Sequence, residues 1–437
     1  MASRDEPIVI TGVGMIASVG NDRESVWRAV RDGRSGARRL EGLDGAPDGT
    51  LIGAPVEIEP DVPGELKVIT LSKHAAAEAL ADAEIDWSRI DPTRFGCAIS
   101  GHMGDTRGIE QYCGFQPQQT VLPWWHQWLP NTACSIVANR YNLLGPRLSH
   151  STACASGIID VLSAVRAIQD GQCDIALAGS SEALQPLFVA GFHQMRVLAY
   201  HDVPQRACRP FDSTREGFIM GEGGAMFVIE RLGHALERGA QIYAEIAAGK
   251  ILAEAHHVTG LDMRNDSLAY LISKTLDAAK LQPEDIGYIN AHGTGTQQND
   301  LAESRAIHRA MGRATNHLCV SATKSILGHL VNAAGSVELA VTTLAMRDGF
   351  VPPTLNLTDP DPECNLDCVP LVGRPNPFAS ALKLSVAFGG HLAAVVLRSF
   401  NEEYVYHVRH AVIHRPQAVG APLELLNSRA GELLSVE

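Results

Sequence analysis

Residues 148–157 read Leu148-Ser149-His150-Ser151-Thr152-Ala153-Cys154-Ala155-Ser156-Gly157, and the rest of the chain is organised around them. Beyond this stretch, apolar residues recur at helical spacing, namely Ile158, Val161, Leu162, Val165 and Ile168. Gly171 then stands where a helix typically ends, and residues 173–179 have the apolar pattern of a buried strand. The pattern predicts a β-α-β unit with Cys154 at the turn from a strand into a helix.

The position of Cys154 suggests a nucleophile. A helix N-terminus offers free N–H groups and a positive dipole end, and both favour the thiolate, which is the reactive form of cysteine. Ala155, Ser156 and Gly157 are small and leave room for a substrate above the sulfur. A lone cysteine is more often an inert buried residue, so this interpretation depends on the histidines and the lysine further along the chain.

Composition excludes several classes of function. The 437 residues are too many for one simple core, and their 45% hydrophobic and 19% charged content is ordinary for a globular protein. A net charge of −13 argues against nucleic acid or a membrane surface as partner. Nine cysteines without a Cys-x-x-Cys pair predict free thiols in a reducing compartment. With no signal-peptide core and no long apolar run, we expect a cytoplasmic protein.

The beginning of the chain offers a rival interpretation. Residues 8–17 read as a buried strand running into a Gly-rich turn, and Gly12, Gly14 and Ala17 match the dinucleotide fingerprint G-x-G-x-x-A. That fingerprint needs a helix directly after the turn, whereas residues 18–22 read as a further turn. An NAD(P)-binding oxidoreductase is therefore the weaker alternative.

The second half of the chain places reactive side chains on loops that follow predicted strands. They are, in chain order, His292, Glu303, Lys324 and His329. Each histidine alone is more typical of a hydrogen-bonded core residue, but a cysteine, two loop histidines and a lysine form a demanding combination. No two of the potential ligands stand at i, i+4 on one helix, so we expect no zinc site.

Together these motifs resemble the β-ketoacyl-acyl carrier protein synthases, which are condensing enzymes. The resemblance covers residues 7–398 and is carried by Thr-Ala-Cys-Ala-Ser-Gly at 152–157, Ala-His-Gly-Thr-Gly-Thr at 291–296, Lys-Ser-x-x-Gly-His at 324–329 and Phe-Gly-Gly at 388–390. Within the family the chain is most similar to the ketosynthase subunit of bacterial type II polyketide synthases, through residues 259–261, 298–300, 351–354 and 359–364.

This resemblance implies an α/β, thiolase-like fold, in which two similar halves stack as α-β-α-β-α layers within a dimer. The halves are expected at residues 1–245, with the cysteine, and 246–400, with the histidines and lysine; residues 401–437 form a C-terminal extension. Trp124, Trp125 and Trp128 precede the Cys154 strand. Because aromatic residues are enriched in interface cores, we expect them at or beside the two-fold interface.

Roles for single residues also follow from the resemblance. Cys154 is expected to take an acyl group from an acyl carrier protein as a thioester. His292 and His329 are expected to stabilise the enolate formed when a malonyl unit loses CO₂, with Lys324 and Glu303 orienting the network.

The remaining implied roles concern binding. The backbone N–H groups of Cys154 and Phe388 hold the oxyanion, and Phe388 with Gly389 gates the pocket. The residues implied to bind substrate are Thr294 and Thr296, which hold the phosphopantetheine arm, and Met103, which lines the acyl tunnel. Because the substrates arrive on a carrier protein, no cofactor and no metal are expected.

One segment departs from the family pattern. The family usually reads Gly-Phe-Gly-Gly at the gate, often after Asn-Ser-Phe, whereas this chain has Lys383-Leu384-Ser385-Val386-Ala387 before Phe388, and Leu392 where an Asn is common. Ala387 is less free than glycine, so we expect the gate to open less easily. Some family members place a monovalent cation near this loop, and the changed residues argue against that cation here.

Partners and alternatives complete the expectations. The ketosynthase subunits pair with a related subunit that lacks the cysteine, the chain-length factor, so we expect such a partner or a second copy of this chain. The alternatives are a homodimeric synthase of fatty-acid synthesis and a non-catalytic chain-length-factor-type subunit, and Cys154 argues against the latter.

Overall fold

The computed structural model describes residues 6–41, 51–101, 113, 124–264 and 266–400. Met103 and the extension 401–437 lie outside the described residues. In chain order the strands are β1 (Ile8–Ala17), β2 (Arg38–Arg39), β3 (Ile52–Ala54), β4 (Phe95–Ser100), β5 (Arg147–Leu148), β6 (Ile175–Glu182), β7 (Met220–Gly221), β8 (Gly223–Arg231), β9 (Ala244–Ala253), β10 (Tyr288–Asn290), β11 (Cys319–Ser321), β12 (Phe350–Val351), β13 (Arg374–Pro375), β14 (Ser380–Ala387) and β15 (His391–Ser399). The helices are α1 (Arg23–Arg31), α2 (Lys67–Asp82), α3 (Thr132–Arg140), α4 (Ser156–Gln169), α5 (Pro186–Gln194), α6 (Leu232–Glu237), α7 (Asp266–Ala279), α8 (Gln297–Met311), α9 (Lys324–Leu327) and α10 (Ala334–Asp348).

The main sheet repeats one strand pattern twice. Its order is β11-β10-β14-β15-β9-β1-β8-β6-β4-β5. In one half β10 lies parallel to β11 and β14, and β15 runs antiparallel to β14 and β9. In the other half β4 lies parallel to β5 and β6, and β8 runs antiparallel to β6 and β1. The predicted α/β fold of two similar halves is present in this topology, and the division at residue 245 stays a prediction.

Helices form layers on both sides of the sheet. Helices α4 and α10 pack between the two halves, while α2 covers the outer face of β1 and β8. On the other side α7 covers β9 and β15, and α8 packs beside it. Residues 334–346 of α10 are all buried, as expected for a helix enclosed on every side.

The two central helices touch at their N-termini. A Cβ on Gly157 of α4 would lie 2.9 Å from the backbone nitrogen of Ser336, and one on Gly335 of α10 would lie 2.7 Å from Cγ1 of Ile158. Only glycine permits so close an approach. Because Cys154 directly precedes α4 and His329 closely precedes α10, this contact draws the two reactive loops together.

The dinucleotide-binding alternative is wrong. Gly12 and Gly14 lie inside β1, which continues to Ala17 without a turn. A Cβ on Gly12 would lie 2.3 Å from the carbonyl oxygen of Ala79, and one on Gly14 would lie 2.0 Å from that of Ala75. The glycines therefore let α2 pack closely on β1 and form no phosphate-binding loop.

The prediction that a helix ends at Gly171 is confirmed, since Gly171 follows α4 with a φ of +73°. The N-terminus of α1 is capped by Asp22. Within the described residues, no helix has the length and apolar character that a membrane span requires.

Candidate active site

Cys154 lies in a short 3-10 turn, Ala153–Ala155, directly before α4. Ala153 has a φ of +48°, a left-handed conformation that is unfavourable for a residue with a Cβ. The turn is held by Ser156, whose Oγ accepts the Thr152 N–H at 2.9 Å and donates to the Ala153 carbonyl at 2.8 Å. The predicted position of the cysteine between strand and helix is confirmed.

The expected thiolate is not the resting form of Cys154. Burial raises the pKa of this thiol to about 12, and the charge of Lys324 lowers it only in part. The side chain is 5% exposed, so loss of hydration outweighs the help of the helix N-terminus. Sequence reasoning considered the helix end and omitted the cost of burial. Cys154 therefore rests as a thiol.

Alkylation by iodoacetamide checks the resting state of Cys154. Because only the thiolate reacts, its rate should rise about tenfold per pH unit between about pH 7 and about pH 10 without a plateau. The exposed Cys113 should react before Cys154 at about pH 8. Peptide mass mapping of timed samples measures both rates. A Cys154 rate that levels off below about pH 9 would contradict the buried-thiol interpretation.

His292 follows β10 and is held from two sides. Its N–H donates to Oε1 of Glu303 at 2.6 Å, and the Gly293 N–H donates to Oε2 at 2.8 Å. Nζ of Lys324 lies 2.5 Å from the His292 carbonyl oxygen and 3.2 Å from Nδ1. An ammonium group only donates, so Nδ1 accepts and the neutral imidazole carries its proton on Nε2.

His329 reaches the same tautomer by a different route. Its Nδ1 accepts the N–H of Val331 at 3.0 Å, which leaves the proton on Nε2. Val331 has a φ of +40°, an unfavourable conformation for a β-branched residue, so the loop is strained where it fixes the ring. Burial, aided by the charge of Lys324, lowers the pKa of both histidines well below 6.5. Both rings are therefore neutral at pH 7.

These three side chains converge. The sulfur of Cys154 and one ring nitrogen from each of His292 and His329 lie within 4.8 Å of one another. The ring planes are 82° apart with centroids at 5.3 Å. All three line a cavity of about 500 Å³. With both Nδ1 atoms engaged, each ring keeps a neutral Nε2–H donor among residues that line the cavity, an arrangement that can stabilise a negatively charged oxygen.

Other predicted residues also line this cavity. The hydroxyls of Thr294 and Thr296 lie 2.8 Å apart at its wall, and the ring of Phe388 stacks on Phe192 with centroids at 6.2 Å. The Gly389 N–H donates to the Val258 carbonyl at 2.7 Å, so it is not free to hold an oxyanion. Glu303 accepts the backbone N–H of His292, and Lys324 contacts both the carbonyl oxygen and Nδ1 of His292.

Sequence reasoning missed three buried charged residues of the site. Oε1 of Glu338, on α10, lies 2.5 Å from Nζ of Lys324, and Oε2 lies 2.8 Å from Nζ of Lys383. Asp300 accepts the N–H of Thr294 at 3.0 Å. The available signal was a glutamate inside the apolar run 334–346, since a buried carboxylate needs a partner.

The same cysteine and histidines form a group that could ligate a metal ion. Their surroundings oppose this, because the ammonium of Lys324 lies beside His292 and both Nδ1 atoms already accept N–H groups. The absence of a metal stays a prediction, which elemental analysis of the purified protein would check.

The chain belongs to the β-ketoacyl synthase family. Residues 5–64 and 67–235 match its N-terminal domain and residues 243–358 its C-terminal domain. The chain is 35% identical over 413 residues to the tetracenomycin polyketide synthase ketoacyl synthase alpha subunit of Streptomyces glaucescens, covering 90% of this chain and 97% of that protein. It is 33% identical over 421 residues to 3-oxoacyl-[acyl-carrier-protein] synthase 2 of Staphylococcus aureus, covering 91% and 99%.

A solved structure agrees with this assignment. It is described as a type II polyketide synthase acyl carrier protein in complex with its ketosynthase bound to the hexaketide. The match has a TM-score of 0.84 at 32% identity and covers 91% of this chain and 100% of that one. The predicted thiolase-like fold and family are confirmed, and the protein is a condensing enzyme of the acyltransferase type.

Proposed function

We propose that this chain is the catalytic ketosynthase subunit of a type II polyketide synthase. It joins an acyl group held on Cys154 to a malonyl unit by decarboxylative Claisen condensation. The observation that carries the proposal is the convergence of the Cys154 sulfur with two neutral histidines whose Nε2–H groups remain free to donate.

Loading is a thioester exchange. The sulfur of Cys154 attacks the acyl carbonyl, the bond to the carrier's thiol breaks, and the proton of Cys154 ends on that leaving thiol. The backbone N–H groups of Cys154 and Phe388 hold the oxygen of the tetrahedral intermediate. Because Cys154 rests as a thiol with a pKa of about 12, its proton must leave as the carbon–sulfur bond forms.

Condensation follows in the same cavity. A malonyl thioester loses CO₂, and the electron pair moves onto its carbonyl oxygen, to which His292 and His329 donate. The enolate carbon attacks the thioester carbonyl on Cys154 and releases the cysteine thiolate. The environment that raises the thiol pKa makes that thiolate strongly basic, so it takes a proton from solvent and the thiol is regenerated.

Four further residues support these steps. Lys324 fixes the tautomer of His292, while Glu303 holds the backbone of the His292 loop. Thr294 and Thr296, at the cavity wall, bind the phosphopantetheine arm. The reaction needs no cofactor because the substrates arrive already activated as thioesters, and we place the protein in the cytoplasm with the carrier protein.

Two partners fit this proposal. An acyl carrier protein delivers both substrates, as supported by the solved neighbour in which a carrier protein contacts its ketosynthase. A chain-length-factor-like subunit or a second copy of this chain completes the dimer. Within this chain, residues 1–245 and 246–400 form the two thiolase-like halves. The side chains of Trp125 and Trp128 are 63% and 53% exposed in the single chain, which supports their burial against a partner.

A homodimeric enzyme of fatty-acid synthesis is the second candidate. It is favoured by the 33% identity to the Staphylococcus aureus synthase over almost the whole of both chains. A non-catalytic subunit is disfavoured, because such a chain would need neither Cys154 nor the two oriented histidines.

Mass spectrometry tests the proposed function. Incubation with acyl-loaded carrier protein should add the acyl mass to Cys154, and later addition of malonyl-loaded carrier protein should release CO₂ and form a β-ketoacyl carrier protein. Native spectra of the same samples, with and without a coexpressed chain-length-factor-like subunit, report the dimer. Failure to load Cys154 from any acyl carrier protein would contradict the proposal.

A further inference from the structure

Two buried lysines share one carboxylate behind the histidines. Lys324 and Lys383 are both fully buried, and their ammonium groups contact different oxygens of Glu338, at 2.5 Å and 2.8 Å respectively. The contact of Lys383 is an ion pair without the direction of a hydrogen bond, and its N–H donates instead to the carbonyl of Leu384. Burial lowers the pKa of Lys383 and the charge of Glu338 opposes that shift, so its positive charge depends on the oxygen atoms that hold it.

The position of Lys383 brings it beside other polar atoms. It lies on β14 opposite Asn290 of β10, and the side-chain amide of Asn290 donates to the Glu338 carbonyl at 3.4 Å. Oδ1 of Asn290 is buried without a hydrogen-bond partner. Lys383 thus contacts a carboxylate oxygen and a backbone carbonyl, and the residue opposite it on β10 carries an unpartnered amide oxygen. Oxygen groups of this kind suit a hard cation.

The residues do not fit the monovalent cation that some family members place near this loop. The ammonium of Lys383 already contacts Glu338 and the Leu384 carbonyl, so a second positive charge would be repelled at short range in a buried place. Lys383 belongs to the segment in which this chain departs from the family pattern.

Charge balance gives this lysine a link to the reacting groups. Glu303 and Glu338 are buried acids, and Lys324 and Lys383 are buried bases, while both histidines are neutral. Removing Lys383 would leave the buried cluster one positive charge short. Glu338 would then be free to turn toward Lys324 with both oxygens, and Lys324 is the group that fixes Nδ1 of His292.

We propose that Lys383 is a positioning residue, a built-in cation that occupies the place of a bound monovalent ion. It holds the side chains of Glu338, Lys324 and His292 in their relative positions. Its effect on catalysis rests on the proposed function, whereas its replacement of an ion can be measured without any substrate.

The first test needs no activity. Wild-type protein should melt at the same temperature in potassium chloride and in tetramethylammonium chloride of equal ionic strength. Lys383→Ala should melt at a lower temperature in tetramethylammonium, and potassium, ammonium or methylammonium should raise that temperature, because these small cations fit the vacated place. A potassium-dependent melting temperature in the wild type would overturn the proposal even if the variant failed to fold.

The second test reads the link to His292. Lys383→Ala should lower kcat for malonyl decarboxylation about tenfold or more with KM little changed, and small cations should restore it. The matched control is Lys73→Ala, since Lys73 is also a buried lysine paired with carboxylates but lies on α2. That control should lose stability and gain no cation-dependent activity.

The outcomes separate this inference from the proposed function. If wild-type protein does not decarboxylate malonyl carrier protein, the proposed function fails while the melting experiment still decides the role of Lys383. If Lys383→Ala folds and keeps wild-type kcat and melting temperature without small cations, the inference is wrong and the proposed function stands.

Discussion

Cys154→Ala is expected to lower the rate of β-ketoacyl product formation by at least about 10³-fold, because the acyl group then has no sulfur with which to form a thioester. The residue lies in a turn that the backbone and Ser156 hold, so the substitution should leave the fold intact. Decarboxylation of malonyl carrier protein should continue, since His292 and His329 keep their Nε2–H groups. Intact-mass analysis follows loading, and released CO₂ reports decarboxylation.

A matched substitution separates chemistry from packing. Cys173→Ala removes another buried thiol whose pKa burial raises, to about 11, but which does not line the cavity. It should cost about 1 kcal/mol of stability and leave product formation unchanged. Product at the wild-type rate from Cys154→Ala would mean that a different nucleophile carries the acyl group.

His292→Ala and His329→Ala are each expected to slow malonyl decarboxylation about 10²- to 10³-fold, the usual effect of removing one donor to a developing oxyanion. Loading of Cys154 should persist in both variants. The His292 loop should stay in place, because Glu303 holds its backbone and not its ring. His150→Ala is the control, since His150 pairs with Asp160 at 2.6 Å and lies outside the cavity lining.

The pH profile gives an independent check on these histidines. Their pKa values are lowered below 6.5, so the neutral donors are fully present above that pH and are lost only as the pH falls through the lowered values. Decarboxylation should therefore be level from about pH 8 to about pH 6.5 and fall at more acidic pH. An acid limb centred at 6.5 or higher would contradict the buried, neutral state of the rings.

The sequence indicated the reactive loops one by one and left their meeting to the family resemblance. Cys154 and His292 were predicted beside small residues after strands, and His329 was placed at the end of the Lys324–His329 motif. The motif order then indicated the family. Local pattern was misleading at Gly12, because a glycine needed for a close helix contact looks the same in sequence as one needed for a turn.

Properties set by burial could not be predicted in this way. The raised pKa of Cys154 arises from burial by residues distant in the sequence. The helix N-terminus, which the sequence does predict, acts to lower that pKa. Glu338 and Lys383 are 45 residues apart on elements that meet only after folding. Local spacing in the sequence therefore does not predict this ion pair. The departure of residues 383–387 from the family pattern does indicate that this part of the site is unusual.

The repeated strand order has a consequence for how subunits of this kind can diverge. The Cys154 loop follows β5 and the Lys324–His329 loop follows β11, and these two strands hold equivalent places in the two halves. In the proposed function, one repeat thus supplies the sulfur that holds the acyl group, and the other supplies histidine donors to the developing negative charge. Because the repeats are joined by packing at Gly157 and Gly335, a sister chain can lose its nucleophile and keep the same architecture. Duplication therefore permits an inactive paralogue to keep this fold.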